Sequence, residues 1–413
     1  MSQETTHIPK LRFPEFEDDW ATERLGDFYI FKNGVNAEKE AYGSGIKFVN
    51  VMDIVSDSPL RYDKIIGEVE ISESEFKKNE VIYGDILFQR SSETREEVGQ
   101  SNVYIDKTQK ATFGGFVIRG RATQKQKPLF MHYLLKTQKV RKDMTARSGG
   151  STRYNVGQES LSKVIIKTTN DECEQQKIAS FLTVTDKKIE LLQRKKDQLT
   201  AYKKGMMQKL FSQEIRFKDD DGKDFPEWEE RKLGELGSFT GGGTPDSNNI
   251  EYWAGNKPWV SSSDLTENNI QTLSITRFIT ALAVKESAAK KVPAGSLLII
   301  SRVGVGKVAV STEEIYTSQD FCSFTPKINV NLFYLGYWML QNKKELLRLS
   351  QGTSIKGLTS SELKILKVEI PHPDEQQKIA NYLTALDKKI ELTDKKLTQA
   401  QTFKKGLLQQ MFI

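Results

Sequence analysis

The 413-residue sequence contains only two cysteines and three histidines. Cys173 and Cys322 cannot form a disulfide framework, and so few Cys and His side chains do not supply a paired zinc site. No apolar stretch reaches the ~18 to 20 residues of a membrane span. The N-terminus has no apolar segment behind a basic start, so nothing indicates a secretory signal. We therefore expect a cytoplasmic protein without a structural metal.

Motifs for methyl transfer and nucleotide binding are missing as well. The sequence has neither an Asn-Pro-Pro-aromatic motif nor a Gly-rich loop that follows a strand. Residues 304–307 (GVGK) lack the leading Gly and the Ser or Thr of a phosphate loop, which favours a β-turn. His132 is interpreted as a packed or surface histidine, and neither cysteine has a basic neighbour that would activate it. The sequence predicts no catalytic residue and no cofactor bound by this chain.

The composition is that of a folded, charge-rich protein. Lys and Arg number 61 and Asp and Glu 55, which gives a net charge of +6, and 37% of the residues are hydrophobic. This length and composition predict two or three domains.

An internal repeat sets the domain organisation. Residues 174–211 match residues 375–412 without a gap, and 21 of these 38 positions are identical. Weaker echoes precede both copies, because 20–26 (WATERLG) resembles 228–234 (WEERKLG) and 48–54 (FVNVMDI) resembles 259–265 (WVSSSDL). The sequence is therefore a duplication in which a variable head precedes a well-matched helix.

The repeated segment has the spacing of a coiled coil. Apolar residues recur at alternating steps of four and three, which is a heptad seam. The seam positions that we assign to the coiled coil or to partner binding are Ile178, Leu182, Ile189, Leu192, Leu199, Ile379, Leu383, Leu386, Ile390 and Leu397. Lys203 and Lys404 interrupt the seam in both copies. We predict that the two helices pair antiparallel within the chain; the alternative is that each helix packs only on its own head.

These patterns predict an α+β protein with two pseudo-symmetric mixed α/β heads separated by two long antiparallel coiled-coil helices. The predicted segments are an N-terminal segment (1–19), a first head (20–168), a central helix (169–211), a linker (212–226), a second head (227–371) and a C-terminal helix (372–413). Strands are predicted at 81–88, 116–118, 297–300 and 308–310, and helices at 128–144 and 331–349. Lysine-rich helix faces are open to two interpretations, a protein-binding surface or a solvated face.

Basic and hydroxyl-rich stretches indicate a nucleic-acid surface. Residues 121–147 hold eight basic side chains against Asp143 alone, the local excess that a phosphate backbone attracts; a solvated helix surface is the alternative. The loop 147–154 (RSGGSTRY) follows, and such loops reach bases or phosphates. The candidate DNA-binding residues of the first head are Arg90, Ser91, Ser92, Arg121, Lys125, Arg147, Ser151, Thr152 and Arg153. Those of the second head are Gly243, Thr244, Ser261, Ser262, Ser263, Arg302, Thr353, Ser354 and Lys356.

The whole chain resembles the specificity subunit of type I restriction-modification enzymes. The residues that carry the resemblance are 241–265 (GGGTP through EYWAGNKPWVSSSDL), 295–307 (GSLLIISRVGVGK), 351–366 (QGTSIKGLTSSELKIL) and the two EQQKIA helices. The first head departs from the pattern, because 31–35 (FKNGV) replaces the Gly-Gly-Thr-Pro loop.

The resemblance implies a non-enzymatic subunit whose two target-recognition domains each read one half of a split DNA target. It also implies partners: double-stranded DNA, two methyltransferase subunits and two motor-nuclease subunits, which would carry S-adenosylmethionine, ATP and Mg²⁺. Two other classes of function stay open on the residues alone, an autonomous DNA-modifying enzyme and a coiled-coil adaptor without a nucleic-acid role.

Overall fold

A computed structural model describes residues 8–349 and 357–413. The chain divides into two compact units, and the division falls inside both long helices. The first unit ends at Gln193 and is completed by Lys396–Ile413, whereas the second unit is Arg194–Lys395. Each unit therefore combines one head with a part of each long helix.

The first head alternates short strands with short helices. Its strands are β1 (Ala21–Arg24), β2 (Tyr29–Asn33), β3 (Tyr42–Val49), β4 (Glu68–Val69), β5 (Ile86–Gln89), β6 (Ser91–Ser92), β7 (Ser101–Val103), β8 (Thr112–Phe113), β9 (Val117–Ala122), β10 (Tyr154–Asn155) and β11 (Ile165–Thr168). Its helices are α1 (Leu25–Phe28), α2 (Val51–Ile54), α3 (Glu73–Asn79), α4 (Pro128–Leu135), α5 (Gln138–Ala146) and α6 (Gln158–Ser162), and the long helix α7 (Glu172–Phe211) follows.

Two sheets form the centre of this head. An antiparallel sheet has the order β2-β9-β5-β7, and a second sheet has the order β4-β3-β8. In the second sheet β3 and β8 are parallel, so their carboxyl ends meet. Strand pairs β1–β11 and β6–β10 complete the head.

The second head repeats this plan. Its strands are β12 (Glu229–Lys232), β13 (Gly237–Gly241), β14 (Lys257–Val260), β15 (Arg277–Ile279), β16 (Lys291–Val292), β17 (Ser296–Ile299), β18 (Val308–Ser311), β19 (Ile315–Thr317), β20 (Cys322–Pro326) and β21 (Lys367–Ile370). Its helices are α8 (Leu233–Leu236), α9 (Ala281–Glu286), α10 (Leu332–Gln341), α11 (Lys343–Leu349) and α12 (Ser360–Ile365), and the long helix α13 (Pro373–Gln410) follows. The sheets are β13-β20-β17-β18 and β15-β14-β19-β16, with β14 parallel to β19.

Two predicted helices are each interrupted in the structure. The prediction of one helix over 128–144 is wrong at Thr137, which is extended and whose hydroxyl donates to the Leu134 carbonyl at 2.7 Å. The prediction of one helix over 331–349 is wrong at Asn342, which caps α10 before α11 begins. A polar side chain that bonds to the preceding turn competes with the helical ladder at both points. The predicted strand 81–88 begins only at Ile86, because Gly84 turns with φ +90°.

The two long helices run antiparallel in each unit. In the second unit Lys196 Nζ lies 2.6 Å from Asp394 Oδ1, and Lys203 Nζ lies 2.5 Å from Asp387 Oδ1. The position on α7 rises while the position on α13 falls, which defines an antiparallel pair and confirms that prediction. In the first unit Leu407 of α13 packs in the core of the first head. The alternative that each long helix packs only on its own head is therefore wrong.

The predicted seam is buried most deeply near the heads. Six of its ten positions are buried: Ile178, Leu182, Ile379, Leu383, Leu386 and Leu397. The other four are half-buried: Ile189, Leu192, Leu199 and Ile390. Asp171 caps α7 by accepting the backbone N–H groups of Cys173 and Glu174, and Gln213 ends it in the left-handed region. Among the described helices, none has the length and apolar character to cross a membrane.

Candidate nucleic-acid interface

Five loops of the first head meet at one edge, where the parallel strands β3 and β8 end. We call this surface the first edge, and its residues are 33–36, 49–53, 90–92, 113–116 and 148–156. Backbone hydrogen bonds tie each loop to the next. They run from Val35 N to Phe113 O (2.9 Å), Gly114 N to Val49 O (3.1 Å), Arg90 N to Phe116 O (2.9 Å) and Val156 N to Arg90 O (2.9 Å).

The second head contains the same set of hydrogen bonds at equivalent positions. They run from Gly243 N to Thr317 O (2.8 Å), Ser318 N to Val260 O (2.9 Å), Ser301 N to Asp320 O (2.7 Å) and Leu358 N to Ser301 O (2.7 Å). We call this surface the second edge, and its described residues are 241–244, 260–264, 301–303, 317–320 and 357–358. One backbone thus presents different side chains in the two heads.

The loops that differ most in sequence are equivalent in structure. Gly34 follows β2 and Gly242 follows β13, and an added Cβ on either glycine would collide with the neighbouring backbone. At Gly34 the obstacles are the carbonyls of Phe113 and Gly114, and at Gly242 they include the Ser318 carbonyl. The segment FKNGV of the first head therefore keeps the close approach that GGGTP makes in the second.

The serines predicted to bind DNA in the first head are partly engaged within the protein. Ser91 Oγ donates to Asn155 Oδ1 at 2.5 Å, and Ser92 Oγ donates to Glu97 Oε2 at 2.8 Å. These bonds accompany the pairing of β6 with β10 and stiffen the ribbon that the two strands form. Arg90 is half-buried and donates to the Gly115 carbonyl at 3.3 Å.

The glycine-rich loop of the first edge is exposed at its tip. Ser151, Thr152 and Arg153 are all exposed. Gly150 adopts φ +121°, and a Cβ there would collide with the Arg153 carbonyl, so this turn requires glycine. Arg147 is less free, because its Nε lies 3.0 Å from Asp143 Oδ2. Arg153 is thus the more available cation of this loop.

The basic stretch 121–147 does not form the single patch that its charge predicted. Arg121 lies at the far end of β9, roughly 13 Å along the strand from Val117, and away from the first edge. Its guanidinium bonds to both Asp85 carboxylate oxygens at 2.9 and 2.7 Å, which raises the pKa of Arg121. Lys125 is exposed near this far end. Arg121 and Lys125 are therefore not part of the first edge.

Other cations of the stretch serve the fold. Arg141 donates to the carbonyls of Glu96 and Val98, both at 2.8 Å, and burial lowers the pKa of Arg141 to about 10. Burial lowers the pKa of Lys136 to about 8. Such half-buried cations pack with their own head and leave less charge for a ligand.

The predicted residues of the second head come together on the second edge. Gly243 is buried in the edge, whereas Thr244 is exposed and its hydroxyl donates to Gln319 Oε1. Ser263 and Arg302 are exposed, and Ser261 and Ser262 are half-buried. The predicted residues Thr353, Ser354 and Lys356 lie outside the residues that the structure describes.

Sequence reasoning missed several residues that stand on these edges. Arg277 donates to Ser261 Oγ at 2.5 Å and lies 4.7 Å from the centre of the Trp259 ring. In the first head, Asn50 and Met52 occupy the positions of Ser261 and Ser263. The match of FVNVMDI with WVSSSDL already indicated Asn50 and Met52, because it aligned them with the predicted Ser261 and Ser263, whereas Arg277 lies outside both matched segments.

The remaining candidate sites for chemistry are structural. His132 is buried, neither ring nitrogen has a hydrogen-bond partner, and burial lowers the pKa of His132 well below its usual value. Residues 304–307 form turns with positive φ at Gly304 and Gly306, and Lys307 Nζ donates to the Leu265 carbonyl at 3.3 Å. Within residues 8–349 and 357–413, no group of three or more metal-ligating side chains is assembled.

Two heads with one backbone plan and different edge side chains define a duplicated recognition protein. The family model for the type I restriction modification DNA specificity domain matches residues 17–201 and again residues 226–402. The chain belongs to this family, and it is a DNA sequence-specificity protein of the type I restriction-modification class. The resemblance drawn from the sequence and the predicted fold class are confirmed.

Individual relatives agree with this assignment. The putative type I restriction enzyme MjaX specificity subunit of Methanocaldococcus jannaschii is 25% identical over 97% of this chain and 95% of its own length. The MjaIX specificity subunit of the same organism is 37% identical, over 44% of this chain and 43% of its own length. The match thus spans less than half of MjaIX and nearly all of MjaX.

Solved structures share the fold. The crystal structure of a type I restriction-modification S subunit from M. genitalium has a TM-score of 0.64 and 17% identity, and the match covers 98% of this chain and 99% of that one. A chain solved in work on complex assembly and conformational transition of the type I R-M system has a TM-score of 0.57 and 16% identity, and the match covers 95% and 97% of the two chains.

Proposed function

We propose that this chain is the non-catalytic DNA-reading subunit of a type I restriction-modification complex, and that each head reads one half of a bipartite target. The observation that carries the proposal is the repeated set of four backbone hydrogen bonds, which holds different side chains on the first edge and on the second edge. A backbone that is the same in both heads but carries different side chains is suited to reading two different base sequences, because side chains recognise base edges.

The duplication also explains how short contacts give one specific site. Two linked modules bind more tightly than either alone, because the second binding event becomes intramolecular. The helix pair α7 and α13 would set the separation of the half-sites. Half-sites read from one face of the DNA have centres roughly one helical turn, ~34 Å, apart.

Exposed apolar side chains on the long helices support docking of two copies of one partner. Leu191 on α7 and Leu392 on α13 are equivalent positions, as are Tyr202 and Phe403, and all four are more than half exposed. On each helix the two residues are eleven positions apart, which returns to the same face after three turns. The occupant we propose is a methyltransferase subunit on each helix, with motor-nuclease subunits added for restriction.

A pair of substitutions tests this docking. Leu191→Asp with Leu392→Asp should abolish co-purification with the methyltransferase, because each places a charge in an apolar contact. Thr200→Asp is the matched control, since Thr200 is exposed on the opposite side of α7, nine residues from Leu191. Normal assembly of the double variant would exclude this face as the docking surface.

The methyl donor, ATP and Mg²⁺ would then bind to the partner subunits, in the cytoplasm, where the DNA is. The isolated chain supplied with S-adenosylmethionine and Mg²⁺ should neither methylate nor cleave DNA. Turnover without partners would favour an autonomous enzyme instead.

A reciprocal exchange of edge residues tests the reading of two half-sites. The triple change Asn50→Ser, Val51→Ser and Met52→Ser gives the first edge the residues of the second, and both loops begin with the same capping-box geometry. We expect the assembled methyltransferase complex to change its preference in one half of the target only. The reverse exchange, Ser261→Asn, Ser262→Val and Ser263→Met, should alter only the other half.

Loss of specificity in both halves from either exchange, or unchanged specificity in both exchanges, would contradict the assignment of one half-site to each edge.

A further inference from the structure

Three large apolar side chains at the first edge are exposed to solvent: Met52 and Phe116 belong to the edge, and Ile66 lies beside it, next to the end of β3. The exposed fraction is 88% for Ile66, 78% for Met52 and 63% for Phe116. Apolar side chains stabilise a fold when they are removed from water. Three such side chains exposed at one edge therefore contribute little to the stability of the head and indicate a binding surface.

Contacts at the end of β3 place these residues on adjoining loops. Phe48 N donates to Gly67 O at 2.8 Å, which sets Ile66 beside the end of β3. Asn50 Oδ1 accepts the backbone N–H of Met52 at 2.8 Å and so fixes the first turn of α2. Phe116 follows Gly114, whose N–H donates to the Val49 carbonyl. The three side chains therefore surround the carboxyl end of one strand.

The second head has polar residues at each equivalent position. Phe48 and Trp259 are equivalent, and their neighbours across the sheet are Gly67 and Arg277. Thr276, which precedes Arg277, therefore corresponds to Ile66, which precedes Gly67. Ser263 corresponds to Met52, and Asp320 corresponds to Phe116 through the matching bonds to Ser301 and Arg90. Since the shared backbone folds equally well with polar side chains there, the apolar set reflects what the first edge binds.

We propose that Ile66, Met52 and Phe116 contact thymine C5-methyl groups in the major groove, so that the first half-site contains A·T pairs at the positions that these side chains reach. This inference rests on the proposed DNA-reading function. The thymine methyl is the one apolar group that a base pair presents in the major groove, and apolar side chains recognise it. Polar side chains on the second edge would instead form hydrogen bonds with their half-site.

Uracil substitution tests the contact directly, because uracil is thymine without the C5-methyl group. The methyltransferase complex that contains this chain is first used to obtain its target by mapping methylated adenines. Binding is then measured at fixed salt on duplexes in which single thymines of the first half-site are replaced by uracil. We expect about fourfold weaker binding for each contacted methyl group.

Variants assign the contact to residues. Phe116→Ala, Met52→Ala and Ile66→Ala should each remove the sensitivity to uracil at one position. Ile30→Ala is the matched control, because Ile30 is 67% exposed on β2 and pairs with Arg121, at the far end of β9 from the first edge. The control should keep the sensitivity of the unmodified chain.

The proposal is overturned if uracil never weakens binding in the first half-site, or if no edge variant changes the effect. Failure of the three variants to assemble with the methyltransferase would assign the apolar side chains to a protein contact instead. Absence of any bipartite methylation motif would mean that the proposed function itself fails, and this outcome is distinct from the others.

Discussion

The lysine that interrupts the heptad seam in both copies has a charged partner in each unit. In the second unit Lys203 Nζ lies 2.5 Å from Asp387 Oδ1 and donates to the Asn268 carbonyl at 2.8 Å. Tyr337 OH donates to Asp387 Oδ2 at 2.6 Å. The lysine and aspartate side chains are only 8% and 4% exposed, and burial lowers the pKa of Lys203. The carboxylate is thus held by a cation and a phenol inside the protein.

Lys203→Met should destabilise this region strongly. The substitution preserves the aliphatic stem and removes the cation, which leaves the Asp387 charge buried with only the phenol as partner. Breaking a buried pair in this way costs about 3 to 5 kcal/mol. Lys404→Met in the first unit is the matched control, because Lys404 and Asp186 are 19% and 25% exposed. We expect it to cost about 1 kcal/mol, as for pairs that water reaches.

Hydrogen exchange measured peptide by peptide is the appropriate assay, because a two-unit protein need not unfold in a single step. Lys203→Met should speed exchange in the second-unit parts of α7 and α13 by about 10²-fold or more, at 1.4 kcal/mol for each factor of ten. Adding Asp387→Leu should restore most of the protection, since an apolar pair avoids the buried charge. Less than about fivefold acceleration, or equal effects of Lys203→Met and Lys404→Met, would refute the argument.

Three further predictions concern DNA binding, pH and assembly. Arg153→Ala should weaken DNA binding and reduce the slope of its salt dependence by about one phosphate contact. Arg147→Ala should have a smaller effect, because the Arg147 side chain is already paired with Asp143. Equal salt slopes for the two variants would contradict this. Burial lowers the pKa of Lys136 to about 8 in the folded state, whereas a lysine in the unfolded chain has a pKa of about 10.4. Between about pH 8 and pH 10.4 the unfolded state therefore binds more protons than the folded state, and the free energy of unfolding rises with pH. Urea unfolding at pH 8 and pH 10 should show this rise, and Lys136→Met should flatten it; an equal rise in the variant would show that another group is responsible. The double variant Leu182→Asp, Leu383→Asp places two unpaired charges at fully buried positions. This should destabilise the helix pair by several kcal/mol and prevent complex formation. Recovery of the intact complex by size-exclusion chromatography would disprove it.

The sequence predicted the features that depend on repetition and period. The match of 174–211 with 375–412 predicted the duplication, and the heptad spacing predicted that the two helices pair. It also marked Lys203 and Lys404 as shared exceptions. Their aspartate partners could not be predicted, because each lies on the other long helix and pairs only once both helices are placed.

The candidate site was predicted in part, and the reason lies in long-range backbone contacts. Ser261 to Ser263 and Arg302 were found through hydroxyl-rich motifs, but Phe116 carries no such motif. Its position on the first edge follows from the bond of its carbonyl to Arg90, 26 residues earlier. Charge counting placed Arg121 with Arg153, whereas β9 carries Arg121 to the far end of the sheet.

One chain with two heads should specify one split DNA target. The most direct measurement is to co-express the chain with its methyltransferase and to map methylated adenines across the host DNA by single-molecule sequencing. We expect a motif of two short half-sites with one methylated adenine in each half. An intact complex that methylates a continuous motif, or no motif, would contradict it.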